Sequence, residues 1–229
     1  MLDTLLFAVL PYVAIVLFLL VSIHRYRKEP FTFSSLSSQF LESRQLFWGS
    51  VPFHIGLGLL FFGHLIGFLF PREVTLWNGV PVRLFILEAA GLIAGLLAMI
   101  GLVGLVLRRL GSARLRINTS WADIAVYLVL IVQIVTGLWI ALGYRWGSAW
   151  YTHTAVPYLW SVASFAPEIE RVVGLPLVAR IHIVGAWTFV GLFSFTRLVH
   201  LLVAPVPYLW RPVQLVIWNR DRRQRRPEN

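Results

Sequence analysis

The amino-acid sequence contains no cysteine and only two methionines, Met1 and Met99. Without thiols, the chain cannot form a disulfide, hold an iron–sulfur cluster or attach a c-type haem through a Cys-x-x-Cys-His motif. Two methionines also leave almost no source of thioether ligands. Any metal or cofactor site must therefore be built from other side chains, and the six histidines are the first candidates.

Acidic residues are also scarce. The 229 residues include 10 acidic and 20 basic side chains, for a net charge of +10, and 58% of them are hydrophobic. The mean hydropathy is +0.75. This composition is typical of an integral membrane protein rather than of a soluble domain.

Five apolar stretches reach the ~20 residues that a helix needs to span a bilayer. They cover approximately residues 5–23, 46–70, 84–107, 121–142 and 179–203. The first stretch has Asp3 in place of a basic leader and no small-x-small cleavage site after it, so we interpret it as a retained helix. The sequence predicts an all-α membrane protein: a bundle of five transmembrane helices over residues 1–229, forming one domain.

The basic residues predict the orientation of this bundle. They concentrate in segment 25–45, in the connection between the third and fourth spans, and in the tail after the fifth. Basic excess marks the cytoplasmic side, which predicts an N-terminus outside and a C-terminus in the cytoplasm. No nucleic-acid-reading module accompanies these arginines, so lipid headgroups and an acidic partner explain them better than nucleic acid does. The tail RDRRQRRPEN is interpreted as a solvated topology anchor.

Two connections carry local signals. Ser120 and Asp123 have the spacing of a capping box that opens the fourth helix. The longest connection, about residues 144–178, is rich in tryptophan and tyrosine, as expected for a segment at the headgroup level with a short interfacial helix.

Four histidines lie within the second and fifth spans: His54, His64, His182 and His200. An ionisable ring in hydrocarbon is costly, so an intramembrane histidine is a candidate functional residue. Four on two helices suggest two metal centres stacked through the membrane, each held by one imidazole from each helix. With no cysteine and almost no methionine, a haem here would be non-covalent and bound by two histidines, which means b-type.

The spacing predicts how these histidines pair. On a straight helix His182 and His200 project from one face about 27 Å apart, while His54 and His64 are about 15 Å apart and roughly 80° offset. The second and fifth spans are expected to run antiparallel. His54 then shares the cytoplasmic leaflet with His200, and His64 shares the outer leaflet with His182.

Other interpretations of these residues remain open. A membrane histidine can simply bond to a neighbouring helix. The glycines near the histidines leave room for a porphyrin, but Gly63-x-x-x-Gly67 and Gly91-x-x-x-Gly95 fit close helix packing, which the glycines taken alone favour. Arg197 is one turn before His200 and either neutralises a haem propionate or extends to the headgroups.

Three motifs together resemble the gamma (cytochrome b) subunit of membrane-bound respiratory nitrate reductase, and the resemblance covers nearly the whole chain. They are FHIG-x6-GH-x2-G in the second span, RRL-x3-R-x-R before Ala122 and Asp123, and RIHIV…TRLVHLLVAPVPYL in the fifth span.

The resemblance implies five transmembrane helices in the cell inner membrane and two haem b groups. His54 and His200 would bind the cytoplasmic-side (proximal) haem, and His64 and His182 the outer (distal) haem, in agreement with the pairing by depth. The family has a lysine in the quinol site at the outer end of the third helix. Arg83 stands at the matching position here, with its positive charge in a different geometry, and Gly63 and His64 would line the same pocket.

The resemblance also implies an activity as part of an oxidoreductase. The chain would oxidise quinol or menaquinol near the outer face, and the electrons would pass through two haems to an iron–sulfur beta subunit and a molybdenum-containing alpha subunit that reduces nitrate to nitrite. Two alternatives stay open. One is a related di-haem subunit of another acceptor complex, of the heterodisulfide- or sulfite-reduction type. The other is a haem-free membrane anchor or transporter.

Overall fold

The computed structural model describes residues 1–29, 44–144 and 150–202, which form helices and turns without a β-strand. The basic tail and Val203, the last residue of the expected fifth span, lie outside the described residues. The α-helices of the described part are α1 Leu2–Lys28, α2 Arg44–Leu69, α3 Pro71–Asn78, α4 Pro81–Gly111, α5 Ala113–Ile117, α6 Trp121–Gly143, α7 Val156–Ala163, α8 Glu170–Val173 and α9 Leu177–Phe193.

Four of these helices are long and apolar enough to cross a membrane: α1, α2, α4 and α6. They correspond to the first four predicted spans within a few residues at each end. The fifth helix, α9, has 17 apolar residues and is shorter than a typical spanning helix. The short helix α7 confirms that the predicted aromatic connection contains one.

The prediction of one continuous fifth helix over residues 179–203 is wrong. The α-helix ends at Phe193, Thr196 is extended (φ −121°, ψ −177°), and Arg197–Leu201 form a 3₁₀ turn. His182 and His200 therefore do not lie on one straight helix, and the estimate of about 27 Å along a common face does not apply.

The break after Phe193 has a clear physical cause. Ser194 is fully buried and its hydroxyl donates to the Phe18 carbonyl in α1 (2.8 Å). Arg25 donates to the carbonyl of Ser194 and, at 3.3 Å, to that of Thr196, which supplies partners for carbonyls at the helix end. The Thr196 hydroxyl accepts a hydrogen bond from the Leu198 amide and caps the 3₁₀ turn. Polar groups of α1 thus stabilise the end of α9.

Helices α2 and α4 pack against each other through glycines. A Cβ on Gly56 would lie 2.5 Å from the Ala94 carbonyl oxygen, and one on Gly101 would overlap the backbone of Phe53. The glycines of the two predicted small-xxx-small patterns lie outside this crossing. Added Cβ atoms on Gly63 and Gly91 would meet open space, whereas those on Gly67 and Gly95 would lie 2.8 Å from Tyr151 and Leu138, respectively. The contacts also show that α2 and α4 are antiparallel.

Side-chain bonds give the directions of the remaining long helices. The Asp3–Arg180 ion pair joins the first residues of α1 to the first turn of α9, and Ser22 and Ser194 meet at the other end of both helices (2.6 Å). Helices α1 and α9 are therefore parallel. The Asp123–Arg197 ion pair joins the start of α6 to the segment after α9, so α6 is antiparallel to α9.

The bundle consequently has two distinguishable ends. The end with Arg25, Arg109, Asp123 and Arg197 is called the basic end below. The opposite end, with Trp77, Tyr151, Tyr158 and Trp160, is called the aromatic end. The N-terminal residues lie at the aromatic end and the last described residues at the basic end; their sides of the membrane stay a prediction.

A tyrosine joins α7 to α1 at the aromatic end. Pro11 has no N–H to donate to the Phe7 carbonyl one helical turn before it. The buried Tyr158 hydroxyl donates to this carbonyl instead, at 2.7 Å. The core here contains Phe7, Tyr158 and Val162.

Candidate functional site

The structure brings His54 and His200 together at the basic end. Their ring centres are 6.1 Å apart, with an angle of 68° between the ring planes. His54 lies in the first half of α2, and His200 lies in the 3₁₀ turn after α9. The break in the fifth helix therefore accompanies a direct approach of the two rings that were predicted to form a pair.

Both rings are held by their Nδ1 atoms. His54 Nδ1 is 2.7 Å from the Ser50 carbonyl oxygen, and His200 Nδ1 is 2.6 Å from the Arg197 carbonyl oxygen. Since a carbonyl oxygen only accepts hydrogen bonds, Nδ1 carries the proton in each ring. The lone pair is then on Nε2, which is the arrangement of metal-binding histidines whose other nitrogen donates to a backbone carbonyl.

The spacing of these rings fits a metal ion between them. Metal–imidazole nitrogen bonds are about 2.0–2.1 Å long in zinc sites, and bonds of this length on opposite sides of one metal would separate two ring centres by about 6 Å. Within the described ranges, no group of three or more His, Asp or Glu side chains forms a metal site by itself. A metal held by His54 and His200 would therefore need further ligands from a bound group, as porphyrin supplies to iron.

An acidic residue organises the side chains next to His200. Asp123 is only 7% exposed and pairs with Arg197 (2.9 Å) and Arg109 (3.2 Å). It also forms the predicted capping box with Ser120, in which both reciprocal hydrogen bonds are present. The sequence indicated the capping box but not the two ion pairs. Because the Arg197 carbonyl accepts the Nδ1 proton of His200, Asp123 helps to position this histidine.

Arg197 was predicted as a possible partner of a haem propionate. Here its Nε atom contacts Asp123, and Nη2 lies 3.4 Å from the Asn118 carbonyl oxygen. Its guanidinium is thus engaged by protein groups in this structure. The propionate contact stays a proposal.

At the aromatic end, His64 lies against Tyr151. Their ring centres are 5.2 Å apart, and the Tyr151 hydroxyl donates to the His64 carbonyl at 2.9 Å. His64 Nδ1 is 2.7 Å from the Leu60 carbonyl oxygen, so its Nε2 also carries the lone pair. A Cβ on Gly67 would lie 2.8 Å from the Tyr151 ring, which explains a glycine there. Tyr151 was noted in the sequence only as part of an aromatic connection.

Burial of the Tyr151 side chain raises its pKa to about 12. The phenol therefore stays protonated, and remains a hydrogen-bond donor, throughout the physiological range.

His182 makes its described contacts with α6. Its Nδ1 is 2.9 Å from the Thr136 hydroxyl, and its Nε2 is 3.3 Å from the Gln133 amide nitrogen. Gly137 leaves room for the ring, since a Cβ there would lie 3.1 Å from His182 Cε1. His64 and His182 are close enough to interact electrostatically. Thr136 and Gln133 were not recognised in the sequence, which offered only the signal of polar residues inside an apolar span.

The other residues predicted for the outer site are at the same end of the molecule. Gly63 precedes His64 and faces open space. Arg83 is exposed near the start of α4, with its guanidinium carbon 5.0 Å from the centre of the Trp77 ring.

Helix lengths, apolar composition and the His54–His200 pair together define a helical membrane protein with a candidate bis-histidine site. The model of the nitrate reductase gamma subunit family matches residues 3–219 of the chain. The chain therefore belongs to the nitrate reductase gamma subunit family.

Several relatives have nearly the same length. The nitrate reductase gamma chain of Bacillus subtilis (strain 168) is 34% identical over 209 residues, which are 90% of this chain and 94% of the relative. The respiratory nitrate reductase 2 gamma chain of Escherichia coli (strain K12) is 34% identical over 218 residues, or 94% and 96%. The respiratory nitrate reductase 1 gamma chain of the same organism is 34% identical over 213 residues, or 92% and 95%.

Proposed function

We propose that this chain is the membrane-anchor cytochrome b subunit of a respiratory nitrate reductase. It oxidises quinol at the aromatic end and delivers the electrons to partner subunits at the basic end. The observation that carries the proposal is the 6.1 Å approach of the His54 and His200 rings, together with the Nδ1 bonds that leave their Nε2 lone pairs available. Membership of the gamma subunit family supports it.

Two haem b groups would be bound, one by His54 and His200 and one by His64 and His182, and would supply reversible one-electron transfer. The first pair is supported by the ring spacing. The second is supported by the position of both residues away from the basic end and by the matching protonation of His64. Added Cβ atoms on Gly58 and Gly63 would meet open space, which leaves room for a bulky group beside each of these two positions on α2.

The quinol site is proposed at the aromatic end, beside Gly63, His64 and Arg83. Gly63 leaves space for a ring next to His64, and Arg83 supplies a positive charge at the same end. Oxidation of quinol to quinone releases two electrons and two protons. If this end faces outward, as the basic residues predict, each electron that crosses to the cytoplasmic side stores about 2.3 kcal/mol per 100 mV of membrane potential.

The basic end is the proposed docking side for an iron–sulfur beta subunit, with a molybdenum-containing alpha subunit beyond it. The chain has no cysteine, so iron–sulfur clusters must be carried by a partner. The arginines at this end suit an acidic partner surface.

Two measurements on the membrane-bound complex test the proposal. A pyridine haemochrome spectrum should give about two b haems per chain. His64→Ala and His182→Ala should each remove one haem and abolish quinol-dependent nitrate reduction. Nitrate reduction with a soluble artificial donor, which bypasses this subunit, should persist.

His24→Gln is the matched control, because His24 is an exposed histidine on α1 outside both pairs. It should retain both haems and quinol-dependent activity. A colourless wild-type protein, or full haem content in His64→Ala and His182→Ala, would overturn the proposal. If the purified complex contains haem but reduces a different terminal acceptor, only the nitrate reductase assignment would be rejected.

A further inference from the structure

The four paired histidines differ in what holds them. The Nδ1 atoms of His54, His64 and His200 each contact a main-chain carbonyl three or four residues earlier in the same segment. Those bonds are local, and no side-chain substitution removes the accepting group. His182 instead contacts a side chain on another helix, the hydroxyl of Thr136.

The direction of the Thr136–His182 bond follows from the other contacts of Thr136. Its Oγ1 is 2.6 Å from the Val132 carbonyl oxygen, which only accepts, so the threonine proton is used there. Oγ1 must then accept the proton of His182 Nδ1, at 2.9 Å. The lone pair of the His182 ring is therefore on Nε2.

The Gln133 side chain agrees with this assignment. Its amide nitrogen is 3.3 Å from His182 Nε2 and is a donor, so Nε2 is the acceptor. The Gln133 Oε1 atom is buried without a hydrogen-bond partner among the described residues, and a Cβ on Gly185 would overlap it. In this structure the Gln133 amide donates to the Nε2 lone pair of His182, and a bound metal would take its place there.

We propose that Thr136 is a positioning residue for His182: its hydroxyl fixes the tautomer and the ring orientation, so that Nε2 is presented to the outer haem. The inference rests on the proposed function, because it assigns a role at the second histidine pair. Partners of this kind stabilise the ligating tautomer and make the ligand more basic, and their loss typically costs 10–100-fold in metal affinity or activity. Among the partners described for the Nδ1 atoms of the four histidines, only the Thr136 hydroxyl belongs to a side chain on another helix.

The test compares three variants of the complete complex in membranes. Thr136→Val keeps the shape and removes the hydroxyl, whereas Thr136→Ser keeps the hydroxyl. Thr188→Val is the matched control, because Thr188 also donates to the carbonyl four residues earlier (Val184, 2.9 Å) but lies on α9. The measurements are haem content, redox titration of the two b haems, and their electron paramagnetic resonance g values.

Thr136→Val should shift the midpoint potential of one haem upward, because a less basic imidazole stabilises ferric iron less. It should also alter the g values of that haem, or reduce its occupancy at least about 10-fold. The haem held by His54 and His200 should be unchanged, and Thr136→Ser and Thr188→Val should resemble the wild type.

Unchanged potentials, g values and occupancy in Thr136→Val would overturn the inference. Equal loss of both haems in Thr136→Val and Thr136→Ser would also overturn it, since that result indicates a packing role. If Thr136→Val does not accumulate, Thr136→Cys replaces it, because sulfur is a weak acceptor of similar size; wild-type potentials in that variant would reject the inference. A wild type without b haem would instead reject the proposed function.

Discussion

The two ends of the bundle hold their histidines in different ways. At the basic end, the ring centres of His54 and His200 are 6.1 Å apart, and both rings bond to main-chain carbonyls. At the aromatic end, His64 and His182 contact side chains from elsewhere in the chain, including Tyr151 and Thr136. Both basic-end rings are thus held at Nδ1 by main-chain carbonyls, whereas at the aromatic end only His64 is, and His182 depends on a side chain of another helix.

This difference has a consequence for function. The carbonyls that hold His54 and His200 cannot be removed by a side-chain substitution, although Asp123 still acts on His200 through Arg197, so this pair suits a fixed electron-transfer position. A site held by side chains of several segments can change its geometry when a substrate binds beside it. The proposed quinol site lies at the aromatic end, where a side chain of another helix holds His182.

The largest expected effect comes from removing one member of the basic-end pair. His200→Ala should eliminate one of two b haems and reduce quinol-dependent nitrate reduction by at least about 100-fold, since loss of a ligand should exceed the 10–100-fold loss typical of its outer partners. The aromatic-end haem should remain. Haem content and redox titration of membranes check this, and His54→Ala should give the same spectrum.

Different residual spectra in His54→Ala and His200→Ala would contradict the pairing. It would mean that the two rings bind different groups despite their 6.1 Å separation.

A smaller effect is expected from Asp123→Asn, which keeps a capping oxygen but removes the charge between Arg109 and Arg197. Breaking a buried ion pair costs about 3–5 kcal/mol, but the Arg197 side chain is about one-third exposed, so we expect about 2–3 kcal/mol. For a chain of this size, that lowers Tm by roughly 5–10 °C. Thermal unfolding of the purified protein measures it.

Glu168→Gln is the control for Asp123→Asn, because it breaks the exposed Arg171–Glu168 pair, which should contribute less than about 1 kcal/mol. Equal Tm changes in both variants would contradict a special role for Asp123. In Asp123→Asn, the midpoint potential of the basic-end haem should also change more than that of the aromatic-end haem.

These elements show how far the sequence alone can predict the structure. Hydropathy located four long helices within a few residues, and local spacing predicted the Ser120–Asp123 capping box. Antiparallel packing and depth predicted that His54 and His200 lie at the same level, and the structure shows the approach of their rings. Each of these predictions follows from residues that are close together in the sequence or from the regular geometry of a helix.

The missed features depend on contacts between distant segments. Residues 194–202 are apolar enough to extend a hydropathy window, but Arg25 and Ser22 of α1 stabilise a break at Ser194 and Thr196. Likewise, no periodicity indicates that Thr136 would meet His182, 46 residues later. Side-chain hydrogen bonds over such separations are specified by the tertiary fold.

The aromatic end can be tested separately through Tyr158. Tyr158→Phe leaves the buried Phe7 carbonyl without its hydroxyl donor and should cost about 1–2 kcal/mol. Adding Pro11→Ala should recover part of this loss, because alanine supplies an N–H one turn after Phe7. Denaturation of the single and double variants measures the effect. No recovery in the double variant would show that the backbone at Pro11 does not deliver that donor.

Tyr12→Phe is the comparison for Tyr158→Phe. The Tyr12 hydroxyl donates to the Val162 carbonyl at 3.2 Å in a half-buried position, so its loss should cost less, about 0.5–1 kcal/mol.

The smallest effect concerns stability at alkaline pH. Burial raises the pKa values of Tyr151 and Tyr158 from 10.0 to about 12, and both lie at the aromatic end. Between pH 10 and 12 these tyrosines are deprotonated in the unfolded chain but still protonated in the folded one. The unfolded state then binds fewer protons, so stability falls as pH rises through this window. Lys28 is the single lysine and there is no cysteine, so tyrosines dominate titration in this range.

Tyr151→Phe should therefore make the decline in Tm between pH 10 and 12 less steep. Below pH 10 both forms of the protein keep their tyrosines protonated, so the Tm curves of variant and wild type should run parallel there and serve as the internal control. Parallel curves through pH 12 as well would contradict the burial of the Tyr151 phenol. A reduced slope together with an altered aromatic-end haem would connect the same tyrosine to His64, because its hydroxyl donates to the carbonyl of that histidine.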